Sequence, residues 1–276
     1  MTAPTLSLQL RNFSAHDPVS WQPLFDEAVA ADRAGIDRVA VSDHVVFGDA
    51  LNDYADPSKG GTAGGRQPTG PDGHWLEPLT VLSVIAGMTS RVRLQTGVLL
   101  AALRRPAVLA KTCATLDVLS GGRLDLGVGV GWQRTEYDAT GLPFAERGAL
   151  LDHTLDVVTR LWTEQAASVE SAYGSFDGIH AMPKPLRAGG VPILVSGTIN
   201  AAVLRRIVRF GSGWIPWGPD VADPRVGLAA IRSAMTEAGR SMDGFTVLGT
   251  LPILRTDGGV DLGATMAGDG DFAGVS

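Results

Sequence analysis

Two rhythms of apolar and polar positions alternate along the chain. Short, nearly continuous apolar runs bounded by glycine or polar residues read as strands: Leu6–Leu10, "DRVAVSDHVVF" from Asp37, "VRLQTGVLL" from Val92, "LDLGVGVGW" from Leu124, "PILVSG" from Pro192, "GWIPW" from Gly213 and "FTVLGTLPIL" from Phe245. Between them apolar residues recur at helical spacing. Trp21, Leu24, Phe25, Ala28 and Val29 mark a helix with Pro23 in its first turn and Gly35 at its end. Others follow at Leu79–Met88 and Pro106–Leu119, the latter with Val108, Leu109, Thr112, Cys113 and Leu116 inward. Leu151, Leu155, Val158 and Trp162 mark the next, then Asn200–Phe210, then one capped by Asp223 with Pro224 at its first position.

Seven strands alternating with helices predict a parallel sheet covered by helices, and continuous apolar strands predict burial on both faces. The repeated units and a length of 276 residues favour one closed (β/α)8 TIM barrel over residues 1–276 rather than an open doubly wound sheet. No eighth strand is legible before the closing "DLGATMAGDGDFAGVS", so either a "GVS" strand closes the barrel unusually or the eighth strand is truncated. Gly48–His74 has no periodicity and contains "SKGGTAGG" and "PTGPDG"; it reads as a flap or a tolerated surface insertion. "FDGIHAMPKPL", from Phe176, reads as irregular.

Composition narrows the function classes. Apolar residues at 45% supply a large core, while a net charge of −6 without any run of Lys or Arg argues against nucleic acid as a partner. The first residues show no signal-peptide pattern and no apolar run is long enough to span a bilayer, so a cytoplasmic protein without membrane contact is expected. Cys113, the one cysteine, sits in a helical pattern and reads as a buried structural thiol.

In a parallel barrel the working residues lie where strands end and loops begin. Those tips carry Asp43 and His44, Thr96 and Gly97, Gly129, Val130, Gly131 and Trp132, Ser196, Gly197 and Thr198, and Trp214–Pro216. Most are small. Glycines at a barrel mouth leave room for a flat ligand to approach the backbone, which accounts for Gly127, Gly129 and Gly131 within a strand pattern. "GVGVGW" lacks the last glycine of the dinucleotide fingerprint and lies mid-chain, so a nucleotide fold is disfavoured. "VSGTINAAVLRR" places backbone N–H groups and the Thr198 hydroxyl at a helix start, which is either an anion site suited to phosphate or an ordinary cap. The five histidines show no metal-ligand spacing, and no Gly-x-Ser-x-Gly elbow is present. His44 alone stands at a strand end beside an acid, where an imidazole can exchange protons near neutral pH. Glu136 either pairs with a neighbouring basic residue on an exposed helix or reaches the pocket; Arg147 reads as structural.

"SDH" after the second strand, the block "TGVLLAALRRPAVLAKTCATLDVLSGGRLDLGVGVGWQRTEYDATGLPFAERG", "PKPLRAGGVPILVSGT" and "GSGWIPWG" together resemble the bacterial luciferase-like monooxygenase superfamily, and more narrowly its actinobacterial deazaflavin-dependent branch. The resemblance spans Leu6 to Leu254. It implies a (β/α)8 barrel with insertion segments, binding the deazaflavin coenzyme F-420, or alternatively FMN, across its mouth. It implies that Asp43 contacts the ring and that His44 handles a proton. Thr96–Gly97 would form a bulge, often with a non-proline cis peptide, that props the ring. Ser196, Gly197 and Thr198 would take the phosphate, with Gly213 and Trp214 in the neighbouring loop. Sugar-phosphate dehydrogenases of this family carry a glutamate just after the glycines, where this chain has Trp132, which argues against a sugar phosphate and moves acid–base work to His44 or to another group. The expected activity is hydride transfer between a deazaflavin and a small organic substrate. The alternatives are a reduced-FMN monooxygenase and a non-catalytic flavin-binding barrel. Substrate contacts would come from the flap and from Trp75, Trp132 and Trp217, and a homodimer is expected by analogy alone.

Overall fold

A computed structural model describes residues 5–249. In chain order the elements are β1 (Ser7–Gln9), β2 (Phe13–Ser14), α1 (Gln22–Ala34), β3 (Arg38–Val41), β4 (His74–Trp75), α2 (Pro78–Met88), β5 (Arg93–Thr96), α3 (Pro106–Leu119), β6 (Leu124–Val128), α4 (Arg134–Ala139), α5 (Arg147–Thr163), β7 (Ala167–Ser171), β8 (Gly174–Ile179), β9 (Ile193–Ser196), α6 (Ala201–Phe210), β10 (Gly213–Ile215), α7 (Arg225–Glu237) and β11 (Thr246–Val247). The sheet runs β1-β3-β5-β6-β9-β10-β11, and every neighbouring pair is parallel. Strictly sequential parallel order is the winding of a (β/α)8 barrel, with α1, α2, α3, α5, α6 and α7 packed neighbour to neighbour outside it. The eighth strand, and the part of the Phe245 run beyond residue 249, fall outside the described residues.

The strands are buried on both faces as their apolar runs predict; all residues of β3 and β6 are buried. At the N-terminal ends of the strands Asp125 takes Arg93 at 2.6 Å and Arg38 at 3.1 Å. Three charged side chains below the core belong to the stability end of a barrel. α1 starts with Pro23 in its first turn and ends at Gly35, whose left-handed φ of 82° lets its N–H reach the last carbonyls. Asp32 of α1 accepts the N–H groups of Ser90, Arg91 and Val92 and so ties α1 to the entry of β5.

Several local expectations change. β7 and β8 form an antiparallel hairpin, so the segment from Phe176 is partly strand. Alternate burial of Ala167 and Val169 is its one period-2 signal, too short to stand out. Val108 of α3 faces solvent, while Ala110 and Ala114 face inward with Leu109 and Cys113. Burial pushes the Cys113 thiol up to about 12, as for an inert core residue. Among the described residues no helix is long and apolar enough to cross a membrane.

Candidate active site

The C-terminal ends of β3, β5, β6, β9 and β10 gather the predicted tips at one rim. Val41, the last residue of β3, is followed by Ser42, whose N–H donates to Asn12 Oδ1; Asn12 in turn donates to the carbonyls of Ser42 and Leu76. Asn12 is fully buried and stitches three loops, a role without a local sequence signal.

Asp43 stands at the rim with its side chain fully shielded. Arg104 grips it bidentately, Nη1 to Oδ2 at 2.6 Å and Nη2 to Oδ1 at 3.0 Å, and the Leu100 N–H donates to Oδ2 at 2.8 Å. Arg104 Nη2 also donates to Glu77, whose carboxylate caps α2 through the Thr80 N–H. Asp43 therefore anchors the wall segment 97–104. β5 leads into Gly97, joined to Val98 by a cis peptide, and the chain stays paired with β6 through Leu99 N–H to Gly127 O at 2.7 Å.

The glycines of the β6 tip answer first to their neighbours in the chain. A Cβ on Gly127 would lie 2.0 Å from the Thr96 carbonyl oxygen. On Gly129 it would lie 2.8 Å from Val98, and Gly131 holds a left-handed φ of 71° against Leu100. Gly127 is thus a requirement of strand packing rather than of a ligand. Gly213, which the resemblance places in the neighbouring loop, opens β10, and a Cβ there would lie 2.6 Å from Thr246 O.

Beyond Trp132 the short helix α4 turns Gln133, Glu136 and Tyr137 to one face, at i, i+3 and i+4. That spacing, directly after the glycines, is the signal that identifies them as inward. All three are buried, so Glu136 is not an exposed helix residue. Gln133 accepts the Gly48 N–H at 2.7 Å and donates to Val46 O. Tyr137 donates to Val130 O, and burial raises its hydroxyl above the usual range. Glu136 Oε1 accepts the Val45 N–H at 2.8 Å and lies 3.2 Å from His44 Nδ1; its Oε2 has no partner among the described residues. His44 Nε2 meets the Gln67 amide nitrogen at 3.3 Å. Rings of Phe47, Trp75 and Trp132 surround the imidazole, with centroids 4.5, 4.8 and 6.1 Å away. Arg147 lies over the Phe144 ring at 4.1 Å, apart from this cluster, as a structural residue.

The segment from Gly48 to His74 is folded against the mouth, not structureless. It holds two 3-10 turns, Leu51–Ala55 and Pro57–Lys59, and ends in β4, paired antiparallel with β2. Tyr54 packs on Trp132 and Trp217, and the Trp217 indole N–H donates to the carbonyls of Gly60 and Gly61 at 3.2 Å. Gln67, which the sequence pattern did not single out, reaches His44 from this flap.

Ser196, Gly197 and Thr198 follow β9 at the rim. Two donors in and beside this loop are engaged inside the chain, and the Gly197 N–H also donates to Ile215 O at 3.2 Å. The Thr198 hydroxyl donates to Trp217 O at 2.9 Å, and the Ile199 N–H to Asp220 Oδ2 at 2.7 Å. The Asn200 side chain caps α6 through Ala202 and Val203. Trp214 lies wholly buried, its indole N–H on Gly197 O.

A parallel barrel whose mouth holds a buried carboxylate behind an imidazole, inside a folded-over flap, places the chain among the (β/α)-barrel proteins. The chain belongs to the luciferase-like monooxygenase family, whose model matches residues 6–257. It is 36% identical over 151 residues to an uncharacterized protein of Mycobacterium tuberculosis, a match covering 54% of this chain and 53% of that one. The chain thus spans about half the length of the first curated relatives it matches. It is 30% identical over 254 residues to an F420-dependent glucose-6-phosphate dehydrogenase of Segniliparus rotundus, covering 88% of this chain and 68% of that protein. Among solved structures, the monooxygenase RslO1 from Streptomyces bottropensis superposes with a TM-score of 0.67 at 27% identity, over 86% of this chain and 68% of that one.

Proposed function

We propose that this protein is an oxidoreductase that moves a hydride between a deazaflavin and a small organic substrate, with His44 as its proton-handling group. The observation that carries the reading is the His44 imidazole at the barrel mouth, backed by Glu136 and beside a rim thinned to glycine at Gly97 and Gly129. Deazaflavin use by the Segniliparus relative supports it.

The residues present fit the ring of such a cofactor. Among the described residues Gln95 Oε1 and Trp132 Nε1 are buried polar atoms without partners, and a Cβ on Gly97 would lie 3.2 Å from Gln9 Oε1 and 3.8 Å from the Gln95 amide. Buried polar atoms call for partners, and a flavin-type ring edge carries both donors and acceptors. Gly97, Gly129, Gly131 and Trp132 would border the ring, and Thr96 and Asp43 would hold that wall in place. Ser196, Gly197 and Thr198 would take the phosphate-bearing tail. When bound, a deazaflavin supplies a carbon centre that accepts or releases hydride. The chain's own work is to orient the substrate, exclude water beneath the flap and exchange a proton at His44 Nε2. Aromatic rings around that nitrogen suit an uncharged, flat or apolar substrate better than a sugar phosphate.

A second reading, reduced-FMN monooxygenation, draws on the likeness to RslO1. Titration of the purified protein with each cofactor separates them. Saturable deazaflavin binding with none for FMN is expected; tight FMN binding without the deazaflavin overturns the first reading. Against reduced or oxidised deazaflavin and a panel of carbonyl compounds, imines and alcohols, His44→Ala should lower turnover about 100-fold or more while leaving cofactor affinity nearly unchanged. An unaltered rate would remove the proton role from His44.

A further inference from the structure

His44 has a different partner on each ring nitrogen, and the two partners specify its proton. On one side, Glu136 Oε1 faces Nδ1 at 3.2 Å while also accepting the Val45 N–H. Oε1 already acts as an acceptor toward the Val45 N–H, so it faces Nδ1 as an acceptor and Nδ1 carries hydrogen. On the other side, the Gln67 amide nitrogen faces Nε2 at 3.3 Å. An amide nitrogen only donates, so Nε2 presents its lone pair. The two contacts are independent, come from opposite directions, and agree on a neutral Nδ1–H imidazole.

We infer that Glu136 is the positioning residue of this site: it fixes the tautomer and orientation of His44 so that Nε2 faces the mouth as proton acceptor, where Gln67 of the flap occupies it in the closed state. Glu136 is wholly buried, and among the described residues its second oxygen has no partner and no cation pairs with the carboxylate. Arg134 and Arg147 lie over the Phe144 ring, and Arg104 is held by Asp43 and Glu77. In the flap, Lys59 pairs with Asp53. The imidazole is therefore the partner that a buried carboxylate requires, and a proton arriving at Nε2 would create the matching charge.

The base role rests on the proposed oxidoreductase reading; the tautomer does not. Under that reading, a substrate hydroxyl gives its proton to Nε2. Its carbinol hydrogen leaves with the electron pair to the oxidised deazaflavin, and the C–O bond becomes C=O, which balances atoms and electrons. Gln67 must release Nε2 for the hydroxyl to enter, so the flap and the proton acceptor are coupled through one hydrogen bond.

Nitrogen-15 NMR of the imidazole in the cofactor-free protein tests the assignment, with the His44 signals identified by their loss in His44→Gln. In the wild type, a protonated Nδ1 and bare Nε2 are expected under conditions where the ring is neutral; a protonated Nε2 overturns the inference. Glu136→Leu should shift the ring toward the Nε2–H form, whereas Glu136→Gln, which retains an acceptor oxygen, should keep Nδ1–H. A Glu136→Leu spectrum matching the wild type would also overturn it. If Glu136→Leu does not fold, the wild-type tautomer decides alone. With cofactor and substrate, Glu136→Leu should lower kcat about tenfold or more at nearly constant cofactor affinity. Failure of the protein to bind either cofactor would sink the proposed activity and leave the NMR result standing.

Discussion

Arg104 holds Asp43 through both of its carboxylate oxygens and, with the same guanidinium, reaches Glu77 at the start of α2. One side chain thus joins the tip of β3, the wall segment after β5 and the cap of a helix. Asp43 has no water-exposed face to fall back on. Removing the guanidinium with Arg104→Leu leaves a buried, uncompensated carboxylate, and a loss of about 3–5 kcal/mol is expected. Urea denaturation would measure it. A loss below ~1 kcal/mol would mean that Asp43 is neutral or otherwise satisfied.

Gly127 and Gly87 offer a contrast between two glycines that look alike in the sequence. A methyl on Gly127 would collide with the Thr96 carbonyl at 2.0 Å and with Ile215 at 2.9 Å. The Ile215 side chain can shift, but the Thr96 backbone cannot yield without breaking the β5–β6 pairing, so Gly127→Ala should cost at least about 3 kcal/mol or prevent folding. Gly87 lies within α2, with nothing among the described residues near its missing Cβ. Gly87→Ala should add about 0.5–1 kcal/mol through helix propensity. Parallel thermal melts would compare the two, and equal shifts would contradict this account.

Asp220 bears on the phosphate tail of the proposed cofactor. Its carboxylate accepts the Ile199 N–H just before α6, close to where that tail would lie. Asp220→Asn keeps an acceptor oxygen but removes the charge, so deazaflavin affinity should rise about two- to fivefold. Thr198→Asp, adding a charge at the same loop, should weaken it. Fluorescence titration reads both, and unchanged affinities would place the tail elsewhere.

Asp32 supplies a pH dependence whose sign is set by its partners. Its partial burial opposes the charged form, but the N–H groups of Val92, Arg91 and Ser90, with Arg123 nearby, outweigh that and hold its carboxyl below the usual aspartate range. A carboxyl lowered on folding stabilises the native state above its unfolded pKa and loses that contribution as pH falls through the folded one. Stability should therefore drop on acidification below about pH 4, and Asp32→Asn should flatten this part of the curve. Equal slopes for both proteins in acid denaturation would exclude Asp32 as the source.

The order of elements was legible because each strand and helix announces itself locally. Val39 to Val41 is a continuous apolar run, Leu124 to Val128 is one interrupted only by Asp125, α1 ends at a glycine that must turn left-handed, and Asn200 caps its own helix. Strand and helix alternation then leaves few windings, and the sequential parallel one was reached from the sequence alone. His44 at a strand end was likewise readable, because a polar pair closing an apolar run is a local event.

Only the tertiary structure decided what those residues touch. The three glycines after Leu126 read as space for a ligand, yet Gly127 serves the Thr96 carbonyl 31 positions away in the chain. Glu136 could be assigned neither to the surface nor to the site until α4 was seen to turn it beneath His44, 92 residues before it. Gln67 lay in a stretch with no period at all. Local pattern follows from propensity and burial, which act over a turn or a few residues. Partnership between a carboxylate, an imidazole and a flap amide is fixed by how distant segments pack around one sheet, and no window of sequence contains all three.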